Sequence, residues 1–248
     1  MDSFDSTTNS TESSSTSSGR PFLPLYVPTG EVSKDRLAFI HILERLKVRL
    51  LRIRKYLTYL TKINDRLKNA RDGWTIRQDN EVALFLRSIS DHMYRMAVLA
   101  MLSDDPSLDV SKCVMMALVH DLAEAHVGDI APREGISKSE KHRREKEAMK
   151  NFATDMLHDS PAAQRIEALW KEYEDGVTPE AKFVKDLDKF EMASQALEYE
   201  RDHGPKTLQQ FFDSSIPKLS HPQVKQWGAD LLAEREHMNQ ALDSKPSS

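Results

Sequence analysis

One cysteine, Cys113, stands in 248 residues, so no disulfide can close within the chain. It lies in the apolar run "CVMMALV" (Cys113–Val119), which points to a packed thiol in a reducing compartment. Long hydrophobic runs are missing too. No apolar stretch reaches the roughly 18 residues of a membrane-spanning helix, so neither a span nor a stable membrane association is expected. Charge of one sign is also lacking. The 35 Lys and Arg against 39 Asp and Glu give a net charge of −4, which excludes a global attraction to nucleic acid. The N-terminus "MDSFDSTTNSTESSSTSSG" has no hydrophobic segment and reads as neither signal nor transit peptide. The expected location is the cytoplasm, with the nucleus also open to the chain.

What is present is ordinary for a protein with a real core: 39% hydrophobic and 30% charged residues. The length accommodates one domain of about 200 residues plus a tail. Residues 1–32 are Ser/Thr/Pro-rich and cannot bury enough apolar surface to offset ordering entropy, so a disordered tail is expected. From Lys34 onward the apolar period is helical, and no segment alternates like a strand. Helices are expected near 34–69, 90–103, 110–125, 138–158, 161–174, 179–202, 206–213 and 221–242, in an all-α domain over 34–243. Ser137 with Glu140 reads as a capping box, and Thr178-Pro179 as a cap before a first-turn proline. "DGV" (Asp175–Val177) and "DHGP" (Asp202–Pro205) read as breaks between helices.

The apolar run ends abruptly in "LVHDLAEAHVGDIAP" (Leu118–Pro132), where His120 and Asp121 are followed by Glu124 and Asp129. On a continuous helix His120 and Glu124 share a face, as do Asp121 and Glu124. Such groups at the end of a buried helix are costly unless their charge is compensated, and a divalent cation does that efficiently. A His-plus-carboxylate set suits Mn, Fe, Co, Mg or Zn better than calcium. A hydrated helix end is the simpler explanation of the pair alone. Two further helices, however, carry an ionisable group on an apolar stripe: His92 with Met96 and Leu99, and Asp188 with Ala181 and Val184. By themselves these read as a hydrogen-bonded core histidine and a partner for a lysine. Together, three helices with inward ionisable groups fit a metal site in a bundle interior. Met93, Met96, Met115 and Met116 read as core, and His126 as a loop histidine.

The pattern His92, His120-Asp121, Asp188 resembles the HD-domain metal-dependent phosphohydrolases. The stretches "SDHMYRMAVLAM", "LVHDLAEAHVGDIAP", "EKHRREKEAMK" and "AKFVKDLDKFEM…EYE" are similar to the eukaryotic HD-domain 5′-deoxynucleotidases, over about 36–46 and 71–240. The resemblance implies an HD-domain helical bundle that hydrolyses deoxyribonucleoside 5′-monophosphates. It places His92, His120, Asp121 and Asp188 on one divalent cation (manganese, cobalt or magnesium). Glu124 becomes the catalytic carboxylate that positions and activates water. Glu124, Asp129 and the carbonyl of Ile130 are the ligands of a second metal where one is held. In "RDGW", Trp74 would face the sugar or base, against the alternative of an ordinary core aromatic, and Arg71 would face the phosphate. A homodimer is implied as well, with weak support from apolar surface on the C-terminal helices. The basic stretch "SEKHRREKEAMK" (Ser139–Lys150) reads foremost as a solvated helix face with pairs such as Glu140–Arg144; the alternative is that Lys141, His142, Arg143 or Arg144 lines a phosphate entrance.

Two stretches depart from the family pattern. "VRLLRIRKYLTYLTKINDRLKN" (Val48–Asn69) is a basic amphipathic insertion, counted here as 48–70, that could touch an acidic partner or membrane. "NEVALFLRSISDH" (Asn80–His92) replaces a Pro-Glu-Ser turn with an apolar run. One or both read as alternatively spliced or wrongly assigned coding segments. They leave open a weakly active or inactive isoform acting as an interaction protein, beside a further alternative, another HD-type nucleotide phosphohydrolase.

Overall fold

A computed structural model of the chain describes residues 27–48, 88–130, 135–203 and 208–243. Residues 1–26 of the expected tail, 49–70 of the basic insertion, Arg71, Trp74 and most of the 80–89 departure lie outside the described residues. The last part of the expected tail is instead ordered, because Thr29 and Gly30 bond to Asp35 and α1 already begins at Val32. Every element among those described is a helix, and the fold class is all-α. In chain order these are α1 (Val32–Val48), α2 (Ile89–Ala100), α3 (Val110–Val119), the single turn α4 (Glu124–Val127) and α5 (Lys138–Asn151), which opens into a π-helical turn, Phe152–Met156. Then come α6 (Pro161–Asp175), α7 (Pro179–His203), α8 (Gln209–Ser215) with a 3₁₀ turn Ile216–Lys218, and α9 (Pro222–Asp243).

Local chemistry sets most of these boundaries. Ser88 and Asp91 form a reciprocal capping box at the start of α2. The Ser137 hydroxyl accepts the Glu140 amide at 3.2 Å to start α5, and Thr178 accepts the Ala181 amide at 3.2 Å before Pro179 opens α7. Gly176 ends α6 at φ +62°, the left-handed conformation that a glycine adopts at little cost.

α2 and α3 lie together over α7. The small residues Ala97, Ala100 and Ala117 let the three helices approach, and Met96, Cys113, Met116, Val184 and Leu187 fill the space between them. Met93, Met96 and Met116 are buried as expected, whereas Met115 is 41% exposed. Met115 precedes Met116 by one residue, a turn of about 100° that carries it off the core face. A second cluster joins α1, through Ile42 and Leu46, to Ile89, Met149 and Phe152. Buried Asp35 secures α1 from the side: it accepts the Thr29 hydroxyl at 2.7 Å and pairs with His158 at 2.8 Å. On the far side α9 packs on α7 through Leu231 and Leu197. Two buried polar anchors fix it there. Asp186 accepts the amides of Ser220 and His221 just before α9, and Arg235 grips Glu200 with two parallel bonds of 2.7 and 3.0 Å.

Large apolar residues at the surface gather mainly on α2 and α3 (Tyr94, Val98, Met115 and Leu118) and on Met101 and Leu102 just beyond α2; the described part of the C-terminal helices contributes only Leu232. The apolar surface expected on those C-terminal helices is thus largely spent on α7 and α8.

Candidate metal centre

The chain does not run as one helix through the charged segment. α3 stops at Val119, and the next backbone bonds, Leu122 to Val119, Glu124 to Asp121 and Ala125 to Leu122, close three residues back. Through this tighter winding, in place of the continuous helix expected over 110–125, His120, Asp121 and Glu124 all reach one cavity. His126, expected in a loop, sits in α4 with its ring 6.5 Å from that of Phe152.

The cavity, about 150 Å³, lies where α2, the α3–α4 turn, α5, α6 and α7 meet, and His92, His120, Asp121, Glu124, Asp129 and Asp188 all line it. His92, His120 and Asp121 can each bring a ligand atom within 4.8 Å of the others. Nε2 of His92 stands 3.3 Å from Asp188 Oδ1 and 3.8 Å from Asp121 Oδ2, and Nε2 of His120 stands 3.2 Å from Asp121 Oδ2.

The outer nitrogens decide what the inner ones offer. His92 Nδ1 donates to Glu191 Oε2 at 2.5 Å, and His120 Nδ1 donates to the Ala117 carbonyl at 2.9 Å. With the Nδ1 protons assigned toward those partners, each ring in its neutral form turns its Nε2 lone pair into the cavity. His120 Nε2 is buried, 3.2 Å from Asp121 Oδ2, and has no hydrogen-bond partner among the described residues, a place that a cation would complete. The donor set, two imidazoles and two carboxylates with their outer atoms held, fits a divalent cation.

The surrounding carboxylates favour positive charge in the cavity, whether a proton on the rings or a cation in its place. Burial alone would lower the pKa of His92, but the carboxylates of Glu191 and Asp188 outweigh it and hold the ring well above its usual value. His120 is raised in the same way, burial being overcome by Asp121. Asp121 is held below the usual carboxylate range, burial being outweighed by the imidazoles of His120 and His92. Glu124, 3% exposed, is pushed well up, first by burial and then by the charges of Asp121 and Asp129. Its Oε1 receives Lys141 Nζ at 3.3 Å, while Oε2 has no hydrogen-bond partner among the described residues. Tyr173 remains a phenol, raised by burial and then by Asp188, and donates to Asp188 Oδ2 at 3.0 Å.

Sequence reasoning missed the supports. Glu191 and Tyr173 orient His92 and Asp188, and Arg95 holds the other Glu191 oxygen at 3.1 Å. Only Glu191 left a signal, being one turn beyond Asp188 on the same face. The basic stretch on α5 divides. Arg143 and Arg144 pair with Glu140 at 2.8 and 2.7 Å on the outer face. His142 meets Glu174 at 3.0 Å and stacks on Trp170. Lys141 alone of the four lines the cavity, and Lys185 of α7 joins it.

The HD domain family model matches residues 64–227. The chain is 46% identical over 196 residues to human "5′-deoxynucleotidase HDDC2", covering 79% of this chain and 93% of that protein. It is 52% identical over 152 residues to "5′-deoxynucleotidase hdd1" of Schizosaccharomyces pombe, covering 60% and 76% of the two chains. Among solved structures, "HD domain-containing protein YGK1" superposes with a TM-score of 0.55 at 30% identity, covering 85% of this chain and 88% of that one.

Proposed function

The chain belongs to the HD-domain family, among its eukaryotic 5′-deoxynucleotidases, and from that premise we infer that it is a 5′-deoxynucleotidase, a metal-dependent hydrolase that converts deoxyribonucleoside 5′-monophosphates to deoxynucleoside and phosphate. The observation that carries the reading from family to this molecule is the convergence of the His92 and His120 Nε2 atoms with the Asp121 and Asp188 carboxylates beside the buried Glu124.

In this reading His92, His120, Asp121 and Asp188 hold one divalent cation, with Mn, Co and Mg the candidates, and Glu124, Asp129 and the Ile130 carbonyl hold a second where one is taken up. When bound, the cation supplies Lewis acidity that offsets phosphate charge and makes water a better nucleophile. The protein's own groups do the rest. Glu191 and the Ala117 carbonyl keep the two imidazoles in the ligand tautomer. Tyr173 holds Asp188 Oδ2 by a hydrogen bond while Oδ1 faces His92 Nε2. Glu124 Oε2 is the acceptor for the proton of the attacking water as the new P–O bond forms and the P–O5′ bond breaks, and the departing O5′ takes up a proton from solvent to leave as the 5′-alcohol. Arg71 and Trp74 complete the reading as the phosphate and sugar or base contacts.

Two copies of the chain form the assembly, and the exposed apolar residues of α2 and α3 offer surface for it. A monomer mass by light scattering at micromolar concentration would remove the dimer. No described helix is long and apolar enough to cross a membrane. The decisive assay is phosphate release from each ribo- and deoxyribonucleoside monophosphate with Mn, Co or Mg. Deoxy monophosphates should be hydrolysed in preference, and release from none of them would sink the assignment.

A further inference from the structure

The cavity presents an electrostatic problem to its own substrate. Asp121, Glu124, Asp129, Glu145, Glu174 and Asp188 line it, against two lysines, so carboxylates outnumber ammonium groups three to one. A phosphate dianion needs a cation that is not already spent on these acids.

Lys141 is spent. Its Nζ lies 3.3 Å from Glu124 and 3.2 Å from Glu145. Lys185 is different: it forms no ion pair among the described residues, and its ammonium sits over the Tyr173 ring, 4.3 Å from the centroid. Its placement is built in from both sides. On α7 it precedes Asp188 by one turn and shares that face. Across from it, the helix-ending Gly176 leaves room for the lysine stem, since a Cβ there would stand 2.8 Å from Lys185 Cε and 3.4 Å from Cδ. Gly176 and the Tyr173 ring therefore form a track that delivers one uncommitted ammonium to the cavity beside the cation ligands.

Building on the deoxynucleotidase reading, we propose that Lys185 is a phosphate-binding residue, gripping a non-bridging oxygen of the substrate monoester and of the inorganic phosphate product. Lysine suits the role as a compact point charge on a movable stem. Its single charge-assisted bond in a partly closed site sets the scale, about 10- to 100-fold in affinity.

The test is calorimetric titration of the metal-loaded protein with inorganic phosphate, which needs no turnover. Lys185→Met should bind phosphate about 10- to 100-fold more weakly than wild type, with unchanged metal content and melting temperature. Lys185→Gln should behave alike and supplies a second neutral side chain, while Lys185→Arg should recover most of the affinity. With deoxynucleoside monophosphate, KM should rise by the same factor and kcat should move less. Wild-type phosphate affinity in both neutral variants overturns the proposal. If phosphate binding depends on Lys185 but wild type cleaves no deoxynucleoside monophosphate, the phosphate site stands and the substrate reading falls.

Discussion

Glu191 is where a single atom exchange should separate holding the metal from folding the protein. Its side chain is fully buried, one oxygen bonding His92 Nδ1 at 2.5 Å and the other forming an ion pair with Arg95 Nε at 3.1 Å. In Glu191→Gln the shape stays, but one oxygen becomes an NH₂ group that can only donate. One of the two partners then faces a donor, and the charge that favours a proton on Nδ1 of His92 is gone. Losing an outer partner of this kind typically lowers metal affinity by about 10- to 100-fold. At about 1.4 kcal/mol per decade, that is roughly 1.4–2.7 kcal/mol. The assay is competition for Co or Mn between the protein and a chromophoric chelator. Glu198→Gln is the control, because Glu198 also pairs with Arg95, at 3.0 Å, but is 32% exposed and away from the histidine. A surface pair of that kind contributes only about 0–1 kcal/mol, so the control should keep wild-type affinity. If Glu191→Gln also keeps it, the carboxylate does not set the state of His92, and the reasoning from outer hydrogen bonds to inner lone pairs fails.

Glu124→Ala should keep the cation of His92, His120, Asp121 and Asp188 and still bind deoxynucleoside monophosphate, with phosphate release down roughly 10²–10⁴; wild-type turnover would remove Glu124 from the chemistry, and loss of all metal would make it a ligand first. Cys113 is buried and burial pushes its thiol up to about 12, so the folded protein should resist iodoacetamide at pH 8 and react once unfolded in denaturant, as read by mass spectrometry. The Asp105 carboxyl is held below its ordinary value, first by the Ser107 hydroxyl and amide and then by His221. A depressed folded pKa gives stability that is present above the unfolded value of about 3.9 and lost as pH falls through the folded one. Asp105→Asn should accordingly flatten the fall of melting temperature below about pH 4, and an unchanged acid slope would show that the Ser107 and His221 contacts are not felt in solution.

The helical period alone determined the all-α class, and the cap residues Ser137, Thr178 and Gly176 determined where α5 and α7 begin and α6 ends, because those effects act within a turn of backbone. The sequence also determined which residue types could hold a cation: an imidazole or carboxylate on an apolar stripe carries a desolvation cost wherever the helix packs, so His92, His120 and Asp188 stand out before any contact is known. Packing decided what periodicity could not. Whether His120, Asp121 and Glu124 aim together depends on the tight turn after Val119, a break that no glycine or proline announces. The supports of Glu191 and Tyr173 depend on α2, α6 and α7 meeting, across 99 residues of sequence in the case of His92 and Glu191. Lys141 and Lys185 read as two lysines among many; the tertiary structure commits one to Glu124 and Glu145 and sets the other over Tyr173, with no acid partner among the described residues. A charge is a property of a residue, but whether it is spent is a property of its neighbours, and only the fold brings those neighbours together.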